Sequence, residues 1–187
     1  LNKSGIKKHN MSPDLAYTLI ASLSIFFMGI LVYFHDRLSV TNRLFFLMSL
    51  ATVFWSLANY FSLNPQSSNL LVWIRLVLFF AAPHVVLFLL FIYNFPNERL
   101  VIRRPLFLMM VTVLVATMTA TISPFVFSGI NIIQGQAIPV AGPIMPLFAL
   151  VILGSLVFGL ILIVKKYKEA KNIERTQWKY MLIGVSL

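Results

Sequence analysis

The chain has 187 residues, of which 59% are hydrophobic and only 11% are charged, and its mean hydropathy is +0.89. Soluble domains carry about 25% charged residues, so this composition excludes an ordinary soluble globular fold. The absence of cysteine excludes a disulfide framework and any metal site built on thiolates.

The positions of the few charges predict the architecture. From Pro105 to Val164 the sequence has no Asp, Glu, Lys or Arg, which is room for two passes of the roughly 20 residues that a bilayer requires. Shorter charge-free runs lie between Arg43 and Arg75 and between Arg75 and Glu98. We therefore predict an all-α, polytopic transmembrane helix bundle in the cell membrane, with five full spans and the start of a sixth.

The spans are taken in chain order after an extracytoplasmic tail over residues 1–14. A signal peptide is the alternative for the first span, but its apolar stretch is longer than a typical signal sequence and no small-residue cleavage pattern follows it. We expect Thr41 or Asn42 to cap the second span and Pro83 to kink the third, a break that lipid-embedded helices tolerate. The predicted spans are 15–34, 43–63, 70–95, 105–127, 143–164 and 180–187.

The sixth span stops at Leu187, well short of the length that crosses a bilayer. We therefore expect the chain to be a fragment of a longer protein.

The connecting segments predict the orientation, since Lys and Arg accumulate on the cytoplasmic side. Of the 15 Lys and Arg residues, all but Lys3, Lys7, Lys8 and Arg75 lie in the connections after spans one, three and five. The N-terminus is therefore expected outside. The net charge of +10 does not indicate nucleic acid, because these positive charges border apolar spans and would meet anionic lipid headgroups.

Polar residues within the spans are candidates for ligand or signal binding, because such groups are costly in lipid. Arg75 either reaches the outer interface with its charge or meets an anionic ligand. For His84, a bond to a backbone carbonyl competes with proton sensing or ligand binding. Trp55 and Asn59 share a helix face, where Asn59 either bonds to another helix or lines a pocket. At the helix ends, Asn94 is expected to be an interface anchor, with Tyr60 and Tyr93.

The segment from Ser128 to Gly142 is the longest outward loop. Its two apolar stretches, separated by Gly135, predict a short hairpin or a re-entrant cap, either as a sensing surface or as a packing lid. No catalytic motif appears, since phosphate-binding loops, metalloprotease motifs and serine elbows are absent. We predict no enzyme activity in this chain, no cofactor and no metal.

Several short motifs lie along the chain, mostly near the ends of the predicted spans. They are Asn42-Arg43-Leu44-Phe45-Phe46 with Ser49 and Trp55-Ser56, Tyr93-Asn94-Phe95-Pro96, Gly142-Pro143, Pro146-Leu147-Phe148, and Arg175, Gln177, Tyr180 and Gly184. Together they resemble the seven-transmembrane sensor region at the N-terminus of bacterial histidine kinases. The resemblance covers most of the sequence and implies a seven-helix input module followed by a cytoplasmic signalling domain. The family's ligands do not lie on fixed residues that can be transferred to this sequence.

The resulting hypothesis is a membrane sensory input module of a signal-transduction protein. Its expected partners are the lipid bilayer, an unidentified ligand and a downstream cytoplasmic signalling domain, and the hypothesis allows a homodimer. A fragment of a transporter or channel is one alternative, although no internal repeat supports it. A non-catalytic membrane scaffold subunit is the other.

Overall fold

The computed structural model describes residues 13–63, 69–97, 99–133 and 136–186. These residues form six helices and one two-stranded sheet. The elements are α1 (Pro13–His35), α2 (Val40–Ser62), α3 (Leu70–Asn94), α4 (Arg104–Ile122), β1 (Phe127–Ile133), β2 (Gln136–Ala141), α5 (Met145–Glu169) and α6 (Asn172–Ser186).

Helices α1 to α5 are long and apolar enough to cross a membrane, with 19 to 25 residues each. At a rise of about 1.5 Å per residue, 20 residues span the roughly 30 Å hydrocarbon core. Many of their large apolar side chains are exposed, such as Ile20, Leu150 and Leu153, as lipid-facing residues are. The predicted transmembrane helix bundle is thereby confirmed.

Helix α3 is the centre of the bundle. It packs against α2, α4 and α5 and also touches β1. A third of its most apolar window is buried (33%), compared with 11% for α1 and for α4. The helix continues through Pro83, and the kink expected there stays a prediction. A displacement of α3 would therefore change its contacts with α2, α4, α5 and β1.

The segment after α4 is an antiparallel hairpin, as one of the two sequence-based alternatives predicts. Its register pairs Phe127 with Ala141 and Ile130 with Pro139, while Gly135 lies outside the described residues. The base is closed by the Gly142 amide, which donates to the Val126 carbonyl at 2.7 Å. A Cβ on Gly142 would overlap the Phe125 carbonyl, so only glycine fits there.

Several boundaries differ from the sequence-based ones, among them the end of α5, which lies at Glu169 and not at 164. Helix α4 ends at Ile122 instead of continuing to 127, because Phe127 already belongs to β1. The N-cap of α2 is Ser39, whose hydroxyl accepts from the Asn42 amide at 3.5 Å, in place of Thr41 or Asn42. Helix α6 begins at Asn172, well before Tyr180. Asn172 has φ 50°, a left-handed conformation that asparagine tolerates better than most residues, and it separates α6 from α5.

Candidate functional site

Arg75 holds the hairpin to α3. Its guanidinium donates two hydrogen bonds to the carbonyl of Phe127, from Nη2 at 2.7 Å and from Nε at 3.2 Å. The side chain is half-buried, and such charge-assisted bonds are about twice as strong as neutral ones. We call this contact the hairpin joint. It gives Arg75 a structural partner that neither sequence-based alternative for this residue included.

His84 lies in a polar cluster between α2 and α3, which we call the histidine cluster (Thr52, Trp55 and His84). The Nδ1 atom of His84 is 3.0 Å from the carbonyl of Phe80, and a carbonyl can only accept, so Nδ1 carries the hydrogen. The Nε2 atom is 2.7 Å from the hydroxyl of Thr52. The backbone-carbonyl bond expected from the sequence is therefore present, with a side-chain partner that was not expected.

Trp55 completes this cluster from the α2 side. Its ring meets the His84 ring edge-on, with centroids 6.4 Å apart, and 38% of its surface is exposed. Asn59 follows one turn later on α2 and is half-buried. The ring of Trp55 could therefore be reached from outside the bundle, whereas the imidazole of His84 has both nitrogens engaged.

The four residues predicted from the sequence do not form one site. Trp55 and His84 are in contact, and Asn59 lies beside Trp55 on the same helix. Arg75 precedes His84 by nine positions on α3, which is about 13 Å along the axis at 1.5 Å per residue. The histidine cluster within the bundle and the hairpin joint are therefore two separate sites.

Sequence reasoning missed a third polar feature, at the opposite end of α3. The ammonium group of Lys166, on α5, lies 2.6 Å from the Ile92 carbonyl, 3.0 Å from that of Tyr93 and 3.4 Å from that of Phe95. The last carbonyls of a helix have no partner within the helix and carry partial negative charge. The three N–H donors of lysine match these three acceptors, so Lys166 caps α3 from a neighbouring helix.

Trp178 of α6 packs against the same end of α3, beside Lys166. Its ring is only 2% exposed, meets the ring of Phe95 edge-on at 5.1 Å, and lies 5.0 Å from the Lys166 ammonium, within the range of a cation–π contact. We call Ile92, Phe95, Lys166 and Trp178 the basic-end joint. It ties α3, α5 and α6 together at one point.

Close packing of α5 on α3 makes this joint possible. A Cβ on Gly159 would lie 2.6 Å from the ring of Phe88, so the glycine lets the two helices approach, as small residues do in membrane bundles. Ile163 is fully buried next. Gly159, Ile163 and Lys166 share one helix face by their spacing, and this spacing is the sequence signal that marks Lys166 as inward-facing.

Asn94 corrects an expectation. It was predicted to be an interface anchor, yet it is fully buried. Its amide donates to the Leu90 carbonyl at 2.6 Å, and its side-chain oxygen accepts from the Val101 amide at 2.8 Å. The side chain therefore folds the α3–α4 connection back onto the end of α3, and this internal use outweighs exposure to headgroups.

A further hydrogen bond joins the start of α2, next to the basic connection after α1, to the α3–α4 connection. The hydroxyl of Thr41, at the start of α2, donates to the Asn97 carbonyl at 2.8 Å. The connections after α1, α3 and α5 thus meet at one end of the bundle, and the hairpin lies at the other end of α3.

These features define a class of protein, namely a polytopic α-helical membrane protein with a hairpin at one end of its bundle and basic connections at the other. No group of three or more His, Asp or Glu that could hold a metal occurs within the described part of the chain. The family model described as the N-terminal 7TM region of histidine kinase matches residues 17–187. The chain belongs to this family, which confirms the resemblance seen in the sequence.

The family places the chain among membrane sensory input modules of histidine kinases. Comparison with curated proteins and with solved structures gives no significant match.

Proposed function

We propose that this module perceives a signal at its outer face or within the membrane and transmits it along α3 to α6, and from there to a downstream cytoplasmic signalling domain. The N-terminus and the hairpin face outward. The observation that carries the proposal is that one central helix bears the hairpin joint near its start and the basic-end joint at its end.

The hairpin joint supports the outer half of this path. Phe127 is the first residue of β1, so the two bonds from Arg75 grip the hairpin at its base. A ligand that displaces the hairpin would pull on α3 or release it. Such a ligand shifts the module only if it binds the two arrangements with different affinity.

The basic-end joint supports the inner half. Lys166 and Trp178 both contact the last turn of α3 or the residue after it. If α3 rotates or slides, the carbonyls of Ile92 and Tyr93 leave the ammonium, and α6 loses the ring of Phe95. A movement of α3 is therefore expected to change the position of α6.

The distribution of charge supports the orientation. The basic connections gather at the end of the bundle that holds Lys166, and positively charged connections favour the cytoplasmic side. The hairpin has no Asp, Glu, Lys or Arg, as an outward connection commonly has few positive charges. Helix α6 would then begin at the cytoplasmic side.

The test uses a histidine kinase that carries this chain as its N-terminal region and whose output drives a reporter gene in cells. Lys166→Met removes the cap of α3 but keeps a long apolar side chain. Loss of a hydrogen-bonded charge costs about 1–3 kcal/mol, and a bias of that size acting on one state changes the ratio of states roughly 5- to 150-fold. We expect the reporter output to change several-fold.

Lys168→Met is the matched control, because Lys168 lies two positions away on α5 and is exposed. Arg75→Gln tests the path from its other end and is also expected to change the output. Membrane fractions are blotted to confirm equal amounts of each variant. Wild-type output from both Lys166→Met and Arg75→Gln, at equal amounts, would overturn the proposed path.

A further inference from the structure

A lateral groove runs between α4 and α5. Both helices pack on α3 rather than closely on each other. A cavity of 330 Å³ opens between them near the basic end, with Leu106, Met110 and Gly154 in its lining. A second cavity of 210 Å³ lies toward the hairpin, and Val113 borders both. The groove therefore follows α4 over several turns and is almost entirely apolar.

Within the described residues of α4 and α5, the charged side chains lie near one end of the groove only. Arg103 precedes Leu106 by three positions and Met110 by seven, so it stands on the groove side of α4. On α5, Lys165 follows Gly154 and Phe158 on the same face by helical spacing. Arg103 is also the N-cap of α4 and makes no capping bond from its side chain, and a helix N-terminus favours an anion.

Polar groups of modest strength line the same end. Tyr93 and Ser155 border the larger cavity, and Lys165 has an acidic neighbour, Glu169, only at 4.0 Å. An occupant of this groove must therefore be apolar along most of its length and anionic at its basic end.

We infer that the α4–α5 groove binds an anionic phospholipid, with an acyl chain between the helices and the phosphate near Arg103 and Lys165. A phospholipid is apolar along its acyl chains and anionic at its phosphate, as the groove requires. Its phosphate also lies at the membrane surface, where Arg103 and Lys165 are expected. A second protein helix would not require cations at one end alone. The two methionines, Met109 and Met110, suit a flexible chain because methionine adapts its shape.

The test is native mass spectrometry of the purified full chain in mild detergent, titrated with phosphatidylglycerol or with phosphatidylcholine of the same acyl chains. Gly154→Leu is expected to weaken retention of both lipids several-fold, because it fills the groove. A Cβ at Gly154 meets no atom within 4 Å, so a larger side chain can begin there without a clash with the backbone. Gly184→Leu is the control, since Gly184 also has open space but lies on α6.

Arg103→Gln tests the headgroup. It is expected to reduce the preference for phosphatidylglycerol roughly fivefold, the effect of about one interfacial cation, and to leave phosphatidylcholine binding unchanged. Arg104→Gln removes the same charge from the next position, which is turned about 100° around α4 from Arg103 and so away from the groove, and is expected to keep the preference. Lys165→Gln should act as Arg103→Gln does.

Three results would overturn the inference: equal binding of the two lipids by the wild type, unchanged lipid retention in Gly154→Leu, or a dimer that Gly154→Leu abolishes in place of lipid adducts. The measurement concerns binding by this chain alone and does not rest on the proposed signalling function. Failure of one proposal therefore leaves the other standing.

Discussion

A few individual polar residues make hydrogen bonds between the helices, although the chain as a whole is mostly apolar. His84 was a candidate because an ionisable group in a membrane span is costly, and its two nitrogens are both engaged. The hydroxyl of Thr52 also bonds to the Met48 carbonyl at 2.9 Å. It has one hydrogen to donate, so a neutral His84 and the Met48 carbonyl compete for it.

Removing this hydroxyl tests the strength of the His84 contact. Thr52→Val keeps the shape of the side chain but leaves Nε2 of His84 without its partner. The cost is about 1–3 kcal/mol for a fully buried polar group, and His84 is half-buried, so the lower end of this range is expected. We expect a clear loss of thermal stability for the full chain in detergent, followed by tryptophan fluorescence.

The control for Thr52→Val is Thr112→Val. The Thr112 hydroxyl makes the same bond to the carbonyl four residues back, that of Leu108 at 2.9 Å, and its side chain is exposed on α4. The difference between the two variants therefore isolates the contact with His84. Equal melting temperatures would show that this contact adds nothing to stability.

Which residues meet across helices could not be predicted from the sequence. The spacing of Trp55 and Asn59 placed them on one face of one helix, and His84 was singled out separately because of its depth in its span. The pairing of Trp55 with His84 depends on how α2 and α3 are rotated against each other, which periodicity alone does not give. Lys166 stood among several lysines. Its spacing from Gly159 indicates the face of α5 on which it lies, but its contact with the end of α3 depends on how α3 and α5 pack.

At the scale of elements, hydropathy predicted the helices, and the apolar stretches around Gly135 indicated a hairpin as one of two alternatives. The start of α6 was missed because a membrane span is recognised by continuous apolar residues. The first turns of α6 instead have charged residues on their exposed face and Trp178 on their buried face. The end of α4 was placed too late because its apolar character continues into β1. Both errors arise where polarity and secondary structure change at different residues.

The contact between α1 and α2 depends on a glycine. A Cβ on Gly29 would lie 2.6 Å from the Cβ of Ser49, closer than packed carbons come. We expect Gly29→Ala to separate the two helices and lower the thermal stability of the chain, although alanine favours a helix over glycine by about 1 kcal/mol.

Gly154→Ala is the reference for Gly29→Ala, because open space surrounds that position. It gains the helix preference without a clash, so its stability should be equal to the wild type or higher. Melting curves of the two variants are compared in the same detergent. If Gly29→Ala were as stable as Gly154→Ala, the close approach of α1 and α2 would be refuted.

The whole molecule has two distinct ends, and the sequence predicts them better than it predicts any single contact. Charged connections mark one end, and the structure brings them together through Thr41, Asn94 and Lys166. The uncharged hairpin marks the other end. This separation is a property of many residues at once, so it does not depend on helix rotation as the histidine cluster does.

The two ends give a direct test of the proposed orientation, and the absence of cysteine makes single-cysteine labelling clean. Ser128 and Lys168 are both exposed, the first on the hairpin and the second at the basic end of α5. In intact cells, a membrane-impermeant thiol reagent should label Ser128→Cys and leave Lys168→Cys unlabelled. Permeabilised cells are the control, in which both should react. Because positive charge on the cytoplasmic side sets the direction of insertion, the reverse pattern in intact cells would place the hairpin inside and move the proposed site of perception to the cytoplasmic face.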